Sequence, residues 1–137
     1  MRILGIDYGD SRIGVSVSDP FGWTAQGLET INASKGIQSV LKRLEEIIHE
    51  YSVEKIVVGF PVNMNGTVGD RGIKTENFIK VLEGKFNIPV QKWDERLTTV
   101  AAQRLLNESN IKRKKKKGLI DTISSSYILQ GYLDSIR

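Results

Sequence analysis

Four carboxylates of this 137-residue chain stand where chemistry is plausible: Asp7, Asp94, Glu95 and Asp121. Asp7 ends the apolar run Ile3-Leu4-Gly5-Ile6, which reads as a strand entering a core. A carboxylate there is costly unless a cation or hydrogen-bond donors meet it. The plain alternative is that Asp7 caps the Gly9-Asp10-Ser11 turn. Asp94 and Glu95 follow Ile88 to Trp93, which reads as a further strand. Asp121 falls in the first turn of a last helix, on one face with Ser124, Ser125 and Ile128. An acid in a first turn also stabilises the helix dipole, by ~0.3–1 kcal/mol. Three acids around one point repel unless cations neutralise them. Oxygen donors without His or Cys suit Mg²⁺ or Mn²⁺. Two such ions ~3.5–4 Å apart are the standard device for phosphodiester hydrolysis.

The rest of the composition narrows the chemistry. There is no cysteine, which removes disulfides, thiolate zinc sites and a cysteine nucleophile. The single histidine, His49, lies among Glu45, Glu46 and Glu50 and reads as a solvated surface residue. Hydrolysis, if present, must rest on carboxylates. No apolar stretch approaches the ~20 residues of a membrane helix, and no secretory leader is visible.

The net charge of +4 hides an asymmetry. Lys112, Arg113, Lys114, Lys115, Lys116 and Lys117 supply six positive charges, and the other 131 residues carry a net −2. A concentrated basic run suggests a polyanion, either nucleic acid or an anionic membrane surface. A merely solvated loop is the bland alternative. Its place between two helical segments favours a functional loop.

The elements that must position these groups follow from periodicity. Residues 2–8 read as a strand. Arg12 to Ser18 alternates Ile13, Val15 and Val17 with small or polar residues and reads as a second strand, joined by a short turn. Residues 24–31 suggest a third. A helix is expected from Ser34 to about Tyr51 and a buried strand over residues 53–59. A helix over 69–86 follows, then a strand over 88–93 that begins or runs at an edge because of Pro89. Thr98 or Thr99 is expected to cap a helix through Leu106. The last helix is expected from about Leu119 to Ile136.

The order βββαβαβαα predicts a mixed five-stranded sheet with helices on both faces, in one domain spanning residues 1–137. Ligands of open α/β sheets gather at the carboxyl ends of parallel strands. If the first, fourth and fifth strands are parallel, Asp7, the Asn63–Thr67 loop and Asp94-Glu95-Arg96 share one rim. Asp121 is placed to reach it. Arg96 either meets a phosphate or holds Asp94. Arg96, Asn63, Asn65 and the basic run are the candidate nucleic-acid contacts. An acid cluster beside a basic loop is coherent as a nuclease.

Four segments carry a family resemblance. They are Gly5-Ile6-Asp7-Tyr8-Gly9 with Arg12-Ile13-Gly14-Val15-Ser16, Val58 to Thr67, Asp94-Glu95-Arg96-Leu97-Thr98-Thr99, and Ile120-Asp121 with Ser124 to Leu129. Together, in order and over essentially the whole chain, they resemble the YqgF/RuvX family. The resemblance implies an RNase H-like fold and a cytoplasmic bacterial protein. It also implies Holliday junction resolution, or nuclease action at the 5′ end of pre-16S rRNA. It places the catalytic, metal-holding acids at Asp7, Glu95 and Asp121, and so favours Glu95 over Asp94.

One departure stands out. RuvC-type resolvases, close fold relatives, carry an acid at the end of the fourth strand. Here that stretch is Val58-Gly59-Phe60-Pro61, without an acid. The Asp94-Glu95 pair would have to substitute from the next strand. Two further expectations stand beside the nuclease: a nucleic-acid-binding protein without catalysis, and an ATPase-like reading of the Gly5–Gly14 segment. Actin-like and sugar-kinase ATPases share that segment but need two such domains.

Overall fold

The computed structural model of the chain describes residues 1–63, 65–97 and 113–136; the side chains of Leu97 and of residues 113–121 are outside that description. The hairpin forms as its alternation predicts. Strand β1 (Arg2–Asp7) pairs antiparallel with β2 (Arg12–Ser18), and Asp7 lies opposite Gly14. β2 in turn pairs antiparallel with β3 (Ala25–Asn32), with a register shift between Val15 and Ser16. β4 (Val53–Phe60) runs parallel to β1, and β5 (Val90–Asp94) runs parallel to β4. The sheet order is β3-β2-β1-β4-β5, a mixed five-stranded sheet.

Helix α1 (Ile37–Tyr51) buries Val40, Leu41, Leu44 and Ile47, the three-and-four spacing of an amphipathic helix. Helix α2 (Asp70–Lys85) buries Thr75, Phe78, Ile79 and Leu82. Both pack with Leu4, Ile6, Ile13, Val15, Ile56 and Val58 on one face of the sheet. The other face is covered by α3 (Arg113–Ser135), whose Ile128, Leu129, Tyr132 and Leu133 meet Ile3 and Val57.

Small residues set how closely α3 lies. A Cβ on Gly5 would come within 2.7 Å of the Leu129 Cβ and 3.0 Å of the Ser125 carbonyl oxygen. Ser16, opposite Gly5, donates its hydroxyl to that carbonyl at 2.9 Å. The buried hydroxyl is thus satisfied and ties helix to sheet.

Two boundaries differ from expectation. α1 begins at Ile37 rather than Ser34, because residues 33–36 form a turn of their own. Ser34 donates its N–H to Asn32 Oδ1, and Gly36 adopts φ 100°, which glycine takes without strain. The basic run is not a loop: α3 starts at Arg113, six residues before the expected Leu119, so Arg113 to Lys117 are helical. Lys and Arg are good helix formers, and like charges one turn apart cost only a few tenths of a kcal/mol. Lys112 and the helix expected from Thr98 or Thr99 to Leu106 lie outside the described residues.

Candidate active site at the carboxyl rim of the sheet

β1, β4 and β5 are mutually parallel, so their carboxyl ends form one rim. Asp7 is the last residue of β1 and shares the α3 face with Ile3 and Gly5. β5 ends at Asp94, opposite Phe60, and the chain then turns into a short 3₁₀ segment, Glu95–Leu97. That change of backbone gives the two adjacent acids different fates.

Asp94 is taken by Arg96. The Arg96 Nε donates to both carboxylate oxygens, at 3.1 and 3.0 Å, and Nη2 donates to Oδ2 at 2.7 Å. The Arg96 backbone N–H adds a bond to Oδ1 at 2.9 Å. These bonds, the side-chain ones foremost, hold the Asp94 carboxyl below the usual carboxylate range and raise the Arg96 guanidinium.

Glu95 turns the other way. A Cβ on Gly59 would lie 2.9 Å from Glu95 Oε1 and 3.1 Å from its Cγ. The glutamate therefore folds back over the end of β4, into space that any side chain at position 59 would take. The end of β4, which carries no acid of its own, thus has a carboxylate beside it from the segment after β5. Ile128 of α3 closes the same spot, its Cδ1 2.4 Å from where a Gly59 Cβ would be.

Asp7 and Glu95 meet through a residue that motif reading did not single out. Arg71, in the first turn of α2, places Nη2 3.6 Å from Asp7 Oδ1 and 3.9 Å from Glu95 Oε1. The two carboxylates are only 17% and 18% exposed, whereas Arg71 is 60% exposed. The signal was in the topology. α2 follows the carboxyl end of β4, so its first turn must sit on this rim. Gly72 pins that turn: a Cβ there would strike Val68 Cγ1 at 2.4 Å and approach the Pro61 carbonyl at 3.2 Å.

Asp7, Arg71 and the hairpin residues Tyr8 to Arg12 line a groove of about 230 Å³. Lys74, one turn along α2, pairs with Asp10 at 3.3 Å. A roomier groove of about 540 Å³ lies between β3 and α3, at Ala25, Gly27, Tyr127 and Gln130, and none of the described residues that line it is a carboxylate. Volume does not mark the chemistry here.

The remaining candidates sit as follows. Asn63 and Asn65 build their own loop: Asn63 Nδ2 donates to Thr67 Oγ1 at 3.0 Å, and Asn65 Oδ1 accepts from the Thr67 N–H and hydroxyl at 3.1 and 2.7 Å. The loop follows β4 on the same rim. Asp121 lies within α3, one turn before Ser125, whose carbonyl packs against Gly5. Its side chain and those of Arg113 to Lys117 are outside the described residues. Among the described residues no three acidic or histidine groups cluster as a complete metal cage. The pair Asp7 and Glu95 nevertheless fits a hard divalent cation in its donor chemistry: oxygen only, anionic, and converging on one positive group.

The family model described as "RuvX: Holliday junction resolvase" matches residues 1–135. A protein of Ruminiclostridium cellulolyticum named "Putative pre-16S rRNA nuclease" is 62% identical over 138 residues, covering 99% of this chain and 96% of that one. A Bacillus subtilis protein of the same name is 54% identical, covering all of both chains. Among solved structures, the fowlpox virus Holliday junction resolvase superposes with a TM-score of 0.62 at 17% identity, over the full length of both chains. RuvC of Thermus thermophilus bound to a Holliday junction gives 0.60 at 16% identity, covering 99% of this chain and 95% of that one. These two likenesses show the RNase H-like fold of the resolvases. With the match over residues 1–135 and relatives above half identity, the chain belongs to the RuvX family.

Proposed function

We propose that this protein is a divalent-metal-dependent nuclease that hydrolyses phosphodiester bonds at the 5′ end of pre-16S rRNA, in the cytoplasm. The observation that carries the reading is the convergence of Asp7 and Glu95 on one guanidinium nitrogen at the carboxyl rim. The names of relatives above half identity over the full chain supply the substrate.

Asp7 and Glu95, with Asp121 from α3, are the residues that would hold Mg²⁺ or Mn²⁺. When bound, such an ion lowers the pKa of a water and stabilises charge on the phosphate and the leaving oxygen. The protein's own part is positional. β1 fixes Asp7 through its ladder with β2 and β4. Gly59 leaves room for Glu95, and the Arg96 clamp keeps Asp94 from competing with it. Asn63, Asn65 and Arg96 border the rim where a backbone phosphate would lie. Lys112 to Lys117 would hold more distant phosphates of the strand by charge.

The test is single-turnover cleavage of an end-labelled precursor-16S fragment with Mn²⁺, Mg²⁺ or EDTA, alongside Asp7→Asn. Metal-dependent cutting that is lost in the variant is the expected result. Tight binding without cutting under any metal would reject the enzyme in favour of a binding protein.

A second reading, junction resolution, draws on the fold shared with RuvC and the fowlpox enzyme. It requires two active sites acting across one junction, hence a dimer. Paired nicks on a four-way DNA junction, with a dimer on that junction by mass measurement, would favour it over the RNA substrate.

A further inference from the structure

We propose that Arg71 is a displaceable internal counter-ion: it neutralises the Asp7–Glu95 pair until a divalent cation takes its place, and its guanidinium then serves the substrate phosphate. The inference rests on the reading above that Asp7 and Glu95 hold the cation.

Three observations carry it. The first is distance. At 3.6 and 3.9 Å, the Arg71 Nη2 attracts both carboxylate oxygens from beyond hydrogen-bond length. Arg96 shows what a committed arginine looks like on the same rim, with three side-chain bonds to Asp94. The second is mobility built on a fixed base. Gly72 seats the first turn of α2 tightly against Val68 and Pro61, yet the Arg71 side chain is 60% exposed. It can leave without disturbing the core. The third is charge. Two carboxylates that are mostly buried and share one neighbour favour having a positive group between them, whether guanidinium or metal. Both cannot occupy that place at once.

The same guanidinium borders the groove lined by Asp7, Gly9 and Arg12. Its planar fork of N–H donors suits a phosphate, and a phosphate arriving with the metal gives the displaced side chain a new partner. Arg71 thereby links metal loading to substrate binding, and makes the metal-free protein tolerate its own acid pair.

The experiment is titration calorimetry with Mn²⁺ alone on the full chain, for the unaltered protein, Arg71→Gln, Arg71→Lys, Lys74→Gln and Asp7→Asn. Melting temperatures are read in EDTA and at saturating Mn²⁺. Arg71→Gln should bind Mn²⁺ about 5- to 10-fold tighter, the low end of the usual coupling between two sites. It should melt lower in EDTA, with the gap closing once metal is bound. Arg71→Lys should stay near the unaltered protein. Lys74→Gln, which removes a charge from the next turn of the helix, should leave the affinity within about twofold, because exposed charges a few residues apart are weakly coupled. Unchanged or weaker Mn²⁺ binding by Arg71→Gln, with Asp7→Asn still abolishing binding, would overturn the counter-ion role and leave the metal site standing. Mn²⁺ binding that Asp7→Asn does not alter, or no binding by any variant, would overturn both.

Discussion

Arg96 closes three side-chain hydrogen bonds on Asp94, whereas Arg71 stands 3.6 and 3.9 Å from Asp7 and Glu95. Both arginines lie on one rim, and each faces acid supplied by the end of a parallel strand. The first pair satisfies itself. Its carboxylate is ionised and bonded, and its arginine turns Nε and Nη2 to it. The second arrangement leaves a cation shared loosely between two nearly buried acids. A self-contained ion pair reads as a structural device, and on the counter-ion proposal the loosely shared one is the place a metal would enter. Asp94 and Glu95 are adjacent in sequence, so the difference lies in backbone geometry. Where β5 gives way to a 3₁₀ turn, one side chain folds onto Arg96 and the next folds over Gly59.

The comparison breaks most directly at the acids. Asp7→Asn and Glu95→Gln should each lower single-turnover cleavage by on the order of 10³-fold, since each removes a charge that would fix the metal. Asp94→Asn should cost less than about tenfold, because its carboxylate is already occupied by Arg96. Circular dichroism should show all three folded. Equal losses for Asp94→Asn and Glu95→Gln would erase the distinction between the two acids.

Gly59 sharpens it next. Gly59→Ala places a methyl 2.9 Å from Glu95 Oε1 and 2.4 Å from Ile128 Cδ1. Ile128 belongs to the core and Glu95 does not, so the glutamate should yield first. We expect a destabilisation of about 1–3 kcal/mol in urea denaturation, the usual cost of overpacking. We also expect a loss of cleavage that excess Mn²⁺ partly restores. Full activity in a stable Gly59→Ala protein would mean that Glu95 does not need the space above β4.

Much of this was legible in the residues, and the gaps have physical causes. β2 came from a clean period of two, and β4 from the short apolar run Ile56-Val57-Val58 shortly before Pro61. The convergence of Asp7 with Asp94-Glu95 followed from parallel strand ends, which the topology dictates. The choice of Glu95 did not follow from pattern, because neighbouring acids at a strand end have the same local signal. Only the family resemblance favoured it. Arg71 escaped notice because an arginine in a first helical turn looks like a surface residue until β4 fixes where that turn sits. The basic segment suggests a loop because six like charges repel, whereas the long stems of Lys and Arg carry good helix propensity and the segment is helical from Arg113.

That basic turn of α3 offers a smaller effect of a different kind. Replacing Lys114 to Lys117 with Ser should weaken substrate binding and flatten its salt dependence, by about 0.7–0.9 in log–log slope for each phosphate no longer neutralised. The rate at saturating enzyme should hold, because interactions that bind ground and transition states alike drop out at saturation. A collapse of the saturated rate with normal affinity would move the lysines from binding into the chemistry, and would overturn their role as contacts that only hold the strand.

The smallest effect concerns the clamp itself. Arg96→Gln removes the charged side-chain bonds that do most to hold the Asp94 carboxyl below its ordinary value of 3.8, and leaves the backbone N–H bond in place. A carboxyl depressed in the folded state stabilises the fold above its unfolded value, and that contribution fades as pH falls through the folded one. The stability gap between the unaltered protein and Arg96→Gln should therefore be fully open at pH 6–7 and close progressively below about pH 3.8, as urea denaturation at pH 7 and pH 3 will show. The gap should be small, since the pair is partly exposed and water screens it. Cleavage at pH 7 should fall only a few-fold, about what a slightly loosened Glu95 would cost. A much larger loss at pH 7, with no pH-dependent stability gap, would mean that Arg96 spends its fork on the substrate phosphate, and that the two arginines of the rim do the same work.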